Sequence, residues 1–501
     1  MATVLATPGV YIEEKSAFAS SVVPVATAVP VFLGYTQKST RGSKSLKNIP
    51  TKISSFAEFE QFFGGAPKVK FEINEDASSV TGYKLVVDSA TRFLLHSAVK
   101  FFYSNGGGDC YVLSVGDYAA GVNAKDFNDE ATGSGLPQLL KYSEPTLLAI
   151  PEAILLTGDE CSSLQQAMLL HCGFATKNRF AILDVYDGYK ERTYDESDVI
   201  TRFREGVGSN FLQWGAAYYP FVQTTIVSSG EVNFTNVKNA TDLIEILSND
   251  VNSALESGVL NEARATAIKE ELAKIEVVKS NEEISSLQAT LKVVSPKFNS
   301  ILTEMAEALN LLPPSSGMAG IYAMVDSSIN IAKAPANLSL GSVISPSVQI
   351  TNKTQEELNL PLNGKAINAI RTFQGKGVLV WGARTLDGNS QDWRYISVRR
   401  TMTFMEQSIK AAAEGYVFEP NTTTTWSTLK ATVTNFLLNQ WQSGILAGQS
   451  PDDAFSVAIG LGTTMTPNDI LDGVLKLTVK VAIVRPAEFI VITFEQQQQK
   501  S

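Results

Sequence analysis

Apolar runs of strand length alternate with amphipathic stretches over the first 220 residues. The runs lie at 29–35, 110–115, 146–150, 179–185 and 215–219, and each is almost continuously hydrophobic, as in strands that are buried on both faces. The stretches at 53–64, 89–104, 161–176 and 197–206 carry apolar residues at helical spacing. This alternation predicts an α/β region with a largely parallel sheet.

The pattern changes at residues 241–312. This segment is rich in Glu, Ala, Lys and Leu and has few glycines or prolines before Pro313 and Pro314. Such a composition favours helices, so we expect a helical insert within the α/β region.

Residues 392–420 organise the later part of the chain. Ile396 and Val398 alternate with more polar residues, which predicts a strand at 395–400. A helix is expected at 401–414, ended by Gly415, and a second strand at 416–420. We interpret the charged residues at 392, 394, 399 and 400 as ion pairs between neighbouring elements, with a substrate clamp as the alternative.

The C-terminal region continues as a mixture of helix and strand. The pattern predicts a helix at 426–444 and strands at 456–460, 475–483 and 488–495, and a further short strand is expected at 8–14 near the N-terminus. A strand at a chain end leaves backbone groups unpaired unless a sheet edge accepts it. The terminal strands therefore pair within the chain or add to other copies, and the second case builds rings or open helices.

Composition narrows the classes of function. The chain has 501 residues, of which 44% are hydrophobic, and this is enough to form several folded domains. Its formal net charge of -10 disfavours binding to nucleic acid. No uninterrupted apolar segment reaches bilayer-spanning length, and the first residues lack the pattern of a secretory signal. Three cysteines, an odd and sparse set, fit a reducing compartment. We expect assembly in the cytoplasm and no membrane insertion.

Residues capable of catalysis do not form a recognisable motif. Cys161, His171 and Cys172 do not match zinc-ligand spacing, and His171 and Cys172 fall on an apolar helix. The glycines at 106–108 end a helix instead of opening one, so they do not form a phosphate loop. We therefore expect no enzymatic activity, no bound cofactor and no metal site.

The sequence resembles the contractile tail sheath proteins of bacteriophages and phage-tail-like injection systems. The resemblance spans both ends and the middle of the chain and excludes the insert. It is carried by Thr7-Pro8-Gly9-Val10-Tyr11-Ile12-Glu13-Glu14, Trp381-Gly382-Ala383-Arg384-Thr385-Leu386, the segment 392–400, Phe418-Glu419-Pro420-Asn421 and Pro486-Ala487-Glu488-Phe489.

The resemblance implies an organisation as well as a fold class, α/β and α+β multidomain. Residues 1–20 would form an N-terminal extended arm and 21–384 an outer α/β region that contains the helical insert at about 241–312. Residues 385–484 would form an inner, tube-facing α+β domain, and 485–501 a C-terminal strand arm.

The implied role is mechanical. Subunits of this family stack as hexameric rings in a helical sheath around an inner tube, and contraction drives the tube through a target envelope. The implied partners are other copies of the chain, the inner tube protein, and baseplate and terminal cap proteins. The particle would be a phage tail or a phage-tail-like particle, and its release outside the cell stays open.

Site residues follow from the same resemblance. The N-terminal arm would use Val4, Val10, Tyr11 and Ile12 between subunits, and the C-terminal arm Phe489, Ile490, Val491, Ile492 and Phe494. The acceptor strand would contain Leu475, Leu477, Val479 and Val481. The candidate tube-facing helix would present Trp426, Lys430, Asn439 and Gln442, although this helix could equally be an internal packing helix.

Two other functions remain open from the residues alone. One is a cytoplasmic multidomain enzyme with a ligand crevice in the βαβ region. The other is a non-contractile lattice protein that uses the same arms.

Overall fold

The computed structural model describes residues 22–76, 78–119 and 121–491. It divides the chain into two compact units, one of residues 26–400 and one that joins residues up to 25 with residues from 401 onward. The domain limits expected above concern roles in an assembly and remain predictions. The strand expected at 8–14 lies outside the described residues.

The larger unit is a mixed α/β structure. Its strands are β1 (Pro30–Thr36), β2 (Thr40–Arg41), β3 (Lys44–Ser45), β4 (Thr51–Ile53), β5 (Phe71–Glu75), β6 (Tyr83–Val87), β7 (Cys110–Asp117), β8 (Asn128–Asp129), β9 (Ser134–Gly135), β10 (Leu147–Ala149), β11 (Phe180–Asp184), β12 (Gly215–Tyr219), β13 (Val222–Thr224), β14 (Leu311–Leu312), β15 (Leu338–Ser339), β16 (Val343–Pro346), β17 (Asn368–Phe373) and β18 (Gly377–Trp381).

The helices of this unit lie between those strands. They are α1 (Phe56–Phe63), α2 (Leu95–Ser104), α3 (Ala124–Phe127), α4 (Gly158–Leu170), α5 (Val199–Gly206), α6 (Ala240–Glu256), α7 (Glu262–Ala273), α8 (Asn281–Val294), α9 (Pro296–Asn310), α10 (Ser315–Ser328) and α11 (Asn352–Asn359). A further helix, α12 (Ile396–Glu414), contains the division between the two units, which falls after Arg400.

A nine-stranded sheet forms the centre of the larger unit, in the order β15-β18-β17-β12-β11-β10-β1-β7-β4. The six strands from β17 to β7 run parallel to one another. Strands β4 and β18 pair antiparallel to their neighbours at either side of this group. The predicted α/β region with a largely parallel sheet is therefore confirmed.

Both faces of the sheet are covered, which explains the continuous apolar runs. Along β1, Val31, Leu33 and Tyr35 belong to one hydrophobic core, whereas Phe32 belongs to the other. Residues of α4 and α5 complete the first core, and residues of α1, α2 and α10 complete the second. A strand needs apolar residues at every position when helices pack on both of its sides.

Two buried carboxylates bind the N-terminal ends of helices from positions remote in the sequence. Glu152 accepts hydrogen bonds from the backbone N–H groups of Leu94 and Leu95 at the start of α2, at 2.9 and 3.0 Å. Asp184, the last residue of β11, accepts one at 2.8 Å from the backbone N–H of Ser315, which begins α10. Negative charge is stabilised at such ends by the unpaired N–H groups and the helix dipole.

The helical insert is confirmed as helices α6 to α9. It has a core of its own, which it shares with the β5–β6 hairpin and the loop around Phe234. Phe71 and Tyr83 of the hairpin are buried there beside Leu247 and Phe298 of the insert. The insert is thus the main part of a subdomain built from two separate segments of the chain.

The smaller unit contains the rest of α12 and the elements that follow. These are α13 (Thr423–Gln442), α14 (Pro451–Ala454), β19 (Phe455–Ile459), α15 (Pro467–Leu471) and β20 (Leu477–Val481). The predicted helix at 426–444 and the strands at 456–460 and 475–483 are confirmed, with their ends shifted by a few residues. No helix within the described ranges is both long and apolar enough to cross a membrane.

Two predictions around residue 400 are wrong. Residues 396–400 form the first turn of α12 instead of a strand, because Ile396 and the arginine at 400 are buried at helical spacing. Residues 416–420 form turns, and the backbone N–H of Glu419 bonds to the carbonyl of Tyr416 at 3.2 Å. Phe418 has a left-handed backbone with φ of 71°, which no strand contains.

Candidate assembly interface

Strands β19 and β20 form a two-stranded antiparallel sheet in the smaller unit. The register runs from Phe455 opposite Val481 to Ile459 opposite Leu477. Beyond β20 the chain makes a short bridge in which Ile483 pairs with Leu446. Over the length of the ladder, each strand keeps one edge that carries no other strand of the described chain. An open edge is the structural requirement for accepting a strand from another molecule.

The expected acceptor residues lie on this sheet. Leu477, Val479 and Val481 belong to β20 and are half-buried, and Leu475 lies just before it. Thr478 and Lys480 point to the other face and are exposed. The alternation gives β20 one apolar side, which an added strand could extend with apolar residues of its own.

An ion pair holds the turn that leads into β20. The Nζ atom of Lys476 lies 2.6 Å from Oδ1 of Asp469, whose other carboxylate oxygen accepts the backbone N–H of Thr466. The Lys476 ammonium and these hydrogen bonds lower the pKa of Asp469 to about 2. The carboxylate is therefore ionised at any physiological pH.

The expected C-terminal arm is described in part. Residues 484–491 form no helix or strand, so the prediction of a strand at 488–495 is wrong for its described part, 488–491. Phe489, Ile490 and Val491 are 68%, 80% and 89% exposed. Three consecutive large apolar residues left in water are unusual for a soluble chain and indicate a surface that another molecule covers. Ile492 and Phe494 lie outside the described residues, as do Val4, Val10, Tyr11 and Ile12 of the N-terminal arm.

Helix α13 has a buried side and an exposed side. Trp426 is buried, and its indole N–H donates to Oδ1 of Asn421 at 2.6 Å. Lys430, Asn439 and Gln442 are exposed. Of the four residues expected to face the tube, these three are therefore accessible, whereas Trp426 packs within its own unit.

An exposed aromatic turn precedes α13. Phe418 is fully exposed and Val417 is 58% exposed. The backbone of Phe418 is in the left-handed region, which a residue with a bulky side chain seldom adopts. The sequence predicts the end of a strand at Phe418-Glu419-Pro420, and no sequence signal marks a positive φ at a phenylalanine.

The predicted ion pair is confirmed for Arg400, whereas Arg399 contacts aromatic rings, and both contacts lie within the larger unit. The guanidinium carbon of Arg399 lies 4.3 Å from the ring centre of Trp214 and 4.4 Å from that of Trp393. Arg400 pairs with Asp326. Guanidinium groups stack on aromatic faces in this way, and both side chains are thereby engaged by the protein itself.

The residues considered for catalysis are dispersed through the cores. His171 is buried and contacts Nη1 of Arg179 through Nε2 at 2.7 Å, and burial together with the arginine lowers its pKa to about 3. The three cysteines are free and buried, and burial raises the pKa of Cys161 and Cys172 to about 12. Among the described residues no group of three or more His, Cys, Asp or Glu side chains could hold a metal ion.

A crevice does occur in the βαβ region, between α4 and α5. Its volume is about 430 Å³, and its wall includes Ser162, Ser163 and Arg202. Both serine hydroxyls donate to backbone carbonyls of α4 at 2.9 Å, so neither is bonded to a general base. The hydroxyl groups of Ser162 and Ser163 are thus engaged by the backbone of their own helix.

Comparison with known families finds a match in the C-terminal region of the chain. Residues 389–497 match the phage tail sheath C-terminal domain. No curated protein sequence matches the chain.

Solved structures are similar over almost the whole chain. The sheath of an extracellular contractile injection system, the PVC sheath complex in the contracted state, matches with a TM-score of 0.60 and 27% identity, covering 99% of each chain. The helical sheath of the anti-feeding prophage in the contracted state matches with a TM-score of 0.59 and 27% identity, covering 99% of this chain and 100% of the other. A chain of the six-fold symmetrised baseplate of the same prophage gives the same values.

Proposed function

We propose that this chain, whose residues 389–497 belong to the phage tail sheath C-terminal domain family, is the sheath subunit of a contractile injection system. The observation that carries the proposal is similarity along 99% of the chain, at 27% identity, to two sheaths in the contracted state. The similarity includes the outer α/β region as well as the C-terminal domain. It therefore favours a contractile sheath over a lattice protein that shares only the arms.

The subunits join by exchanging strands. The arm that begins after Pro486 adds to the open edge of the β19–β20 sheet of a neighbouring copy, and the N-terminal arm adds to another. Exposed Phe489, Ile490 and Val491 match the half-buried apolar face of β20, whose Leu477, Val479 and Val481 alternate with polar residues. Main-chain pairing supplies affinity in such contacts, while side chains at alternate positions fix the register.

The arms also act as hinges between subunits during contraction. Subunit bodies can then rotate and slide while the main-chain pairing between copies is kept. The extended lattice stores free energy, and contraction releases it as weak contacts to the tube are exchanged for larger contacts between subunits. This mechanism requires no fuel and no catalytic residue in the chain.

The rings are hexameric and stack around an inner tube. Helix α13 faces that tube through Lys430, Asn439 and Gln442, which are exposed and polar. Polar contacts can be released at low cost when the sheath slides along the tube, because water replaces each hydrogen bond. Baseplate and cap proteins hold the two ends of the sheath. The particle is assembled in the cytoplasm and acts after release, as an extracellular injection system.

The test is negative-stain electron microscopy of three purified proteins: the full chain, a variant lacking residues 1–16 and a variant lacking residues 487–501. We expect tubes from the full chain and short or no tubes from either truncation, since each loses one of the two strand connections. Circular dichroism would show that the truncated chains remain folded.

Small closed oligomers from all three proteins would contradict the proposal. Tubes that persist in both truncations would contradict strand exchange while leaving the sheath assignment intact. Contraction itself is tested by comparing the diameters of tubes assembled with and without the inner tube protein, since a non-contractile lattice would show one diameter only.

A further inference from the structure

A cavity of about 330 Å³ lies within the larger unit, where the helical insert meets the sheet region. Its wall combines the start of the hairpin segment at 66–70, the residues before α2, the loop at 231–236 and the first turn of α8. Pockets for small ligands begin at about this size. The cavity is far from the acceptor strand in sequence and takes no part in the proposed assembly.

The charges that line this cavity are mainly positive. Lys68, Lys70 and Arg92 contribute three cations, and Glu231 contributes the one carboxylate. The oxygen Oε1 of Glu231 already lies 3.5 Å from Nζ of Lys100. The lining thus has an excess of at least two positive charges, in a chain whose formal net charge is -10.

The Arg92 guanidinium lines the cavity without a carboxylate counter-ion in the described part of the chain. Within the described ranges it makes no hydrogen bond and no ion pair with a carboxylate, although its side chain is half-buried. Burial lowers its pKa, which means that the charged form is destabilised where it stands. A guanidinium that lines a cavity with its N–H donors free of other hydrogen bonds can bind an anion that enters the cavity.

The walls of the cavity are held in place without a ligand. Nζ of Lys70 donates to the carbonyl of Thr235 at 2.6 Å, and Nδ2 of Asn236 donates to the carbonyl of Val69 at 2.8 Å. The insert is tied to the same loop, since Nε2 of Gln288 donates to the carbonyl of Val232 at 3.1 Å. A site with fixed walls loses little conformational entropy when it binds a ligand.

Neutral groups in the cavity suit the organic part of a ligand. The side chains of Ser97 and Asn281 line it and have no hydrogen-bond partner among the described residues, so both can bind hydroxyl groups. Leu94 and Ile284 supply an apolar surface beside them. The ammonium of Lys70 keeps two N–H donors beyond its bond to Thr235.

We propose that this cavity binds a phosphate ester of monosaccharide size, with the phosphate between Arg92, Lys68 and Lys70 and the hydroxyl groups toward Ser97 and Asn281. A phosphate monoester carries a charge of about -2 near neutral pH, which matches the excess charge of the lining. Arginine binds such a group through two parallel hydrogen bonds. This proposal is independent of the sheath function, because it concerns no contact between subunits.

The test is isothermal titration calorimetry of the full-length protein with glucose 6-phosphate at constant ionic strength. We expect saturable binding of one ligand per chain, no binding of glucose, and weaker binding of inorganic phosphate. Arg92→Gln should weaken the affinity for glucose 6-phosphate at least tenfold, and Lys68→Gln several-fold. Lys47→Gln, which removes the same charge from an exposed position outside the cavity, should leave the affinity unchanged.

Because Lys68 is exposed, its variant should fold even if the Arg92 variant does not, and circular dichroism checks both. Absence of saturable binding in the folded full-length protein would overturn the proposal. An equal loss of affinity in Lys68→Gln and Lys47→Gln would do the same, since the effect would then reflect overall charge. A third outcome would also overturn the proposal: the parent protein binds none of the three probes, and Arg92→Gln no longer forms tubes. The cavity would then bind an acidic segment of another copy of the chain.

Discussion

Arg400 and Asp326 form a two-point ion pair in the larger unit, with Nη1 3.1 Å from Oδ1 and Nη2 2.5 Å from Oδ2. Both side chains are nearly inaccessible, at 4% and 5% exposure. The Arg400 guanidinium also lies 4.8 Å from the ring centre of Tyr322, whose hydroxyl is 2.7 Å from that of Tyr218. A buried pair of this kind fixes the position of the first turns of α12 relative to α10.

Removing the carboxylate of Asp326 should lower the free energy of unfolding substantially. Asp326→Asn leaves the Arg400 cation buried without a counter-charge, which typically destabilises a fold by about 3–5 kcal/mol. Urea unfolding followed by tryptophan fluorescence measures the effect. Asp250→Asn is the matched control, because Asp250 forms a 3.7 Å pair with Lys297 at a partly exposed site, and its loss should cost less than about 1 kcal/mol. Equal losses in the two variants would contradict the structural role of the buried pair.

The central sheet, the start of α12 and the cavity at Arg92 differ in how far a sequence pattern predicts them. The strands of the sheet were predictable because burial on both faces leaves a continuous apolar run, as in Val31 to Tyr35. Ile396 and Val398 carry the β-branched alternation of a strand, yet they lie in α12. There, contacts of Arg399 and Arg400 with residues distant in the sequence override the local preference. The cavity at Arg92 was not predictable, because its wall joins segments more than a hundred residues apart.

The unfolding free energy of the larger unit should fall as the pH rises from the pKa of Glu152 in the unfolded chain to its pKa in the folded chain. Burial raises the pKa of this carboxyl to about 7, although three backbone N–H groups act in the opposite direction. A carboxyl whose pKa is higher in the folded chain than in the unfolded one stabilises the fold most below the unfolded value, near 4.5. That contribution is lost as pH rises toward 7, by up to about 3 kcal/mol.

The measurement is the free energy of unfolding in urea at several pH values between 4.5 and 8, for the parent chain and for Glu152→Gln. The variant removes the titrating group, so its stability should depend less steeply on pH, whatever its absolute value. Glu130→Gln is the control, since Glu130 is exposed. Parallel pH profiles for the parent and Glu152→Gln would contradict the raised pKa.

Replacing the exposed apolar residues of the C-terminal arm should separate assembly from folding. Phe489, Ile490 and Val491 cover nothing in the described chain, so a triple change to serine should alter the unfolding free energy by less than about 0.5 kcal/mol. The same change should prevent sedimentation of polymer in an ultracentrifuge. Leu362→Ser, at a fully exposed position in the larger unit, should affect neither property. Normal polymer from the triple variant would contradict the role of this arm.

The backbone of Phe418 stores strain that a single substitution should release. A left-handed conformation costs a residue with a side chain roughly 1 kcal/mol, and glycine adopts it freely. Because the phenyl ring is fully exposed, its removal loses no packing within the chain. Phe418→Gly should therefore raise the unfolding free energy of the unassembled chain by about 0.5–1 kcal/mol. Phe418→Leu keeps the strained backbone and should show no gain, and an equal gain in both variants would contradict the explanation.

The two sides of α13 should respond differently to substitution. Trp426→Ala removes a buried indole and its hydrogen bond to Asn421, and this should destabilise the smaller unit by about 3–5 kcal/mol. Lys430→Glu reverses a charge on the exposed side and should leave the unfolding free energy within about 0.5 kcal/mol. If α13 faces the inner tube, co-sedimentation with the tube protein should weaken in Lys430→Glu and stay normal in Lys410→Glu, an equivalent reversal at an exposed position of α12. Equal binding by both charge variants would leave α13 as a packing helix and place the tube contact elsewhere on the subunit.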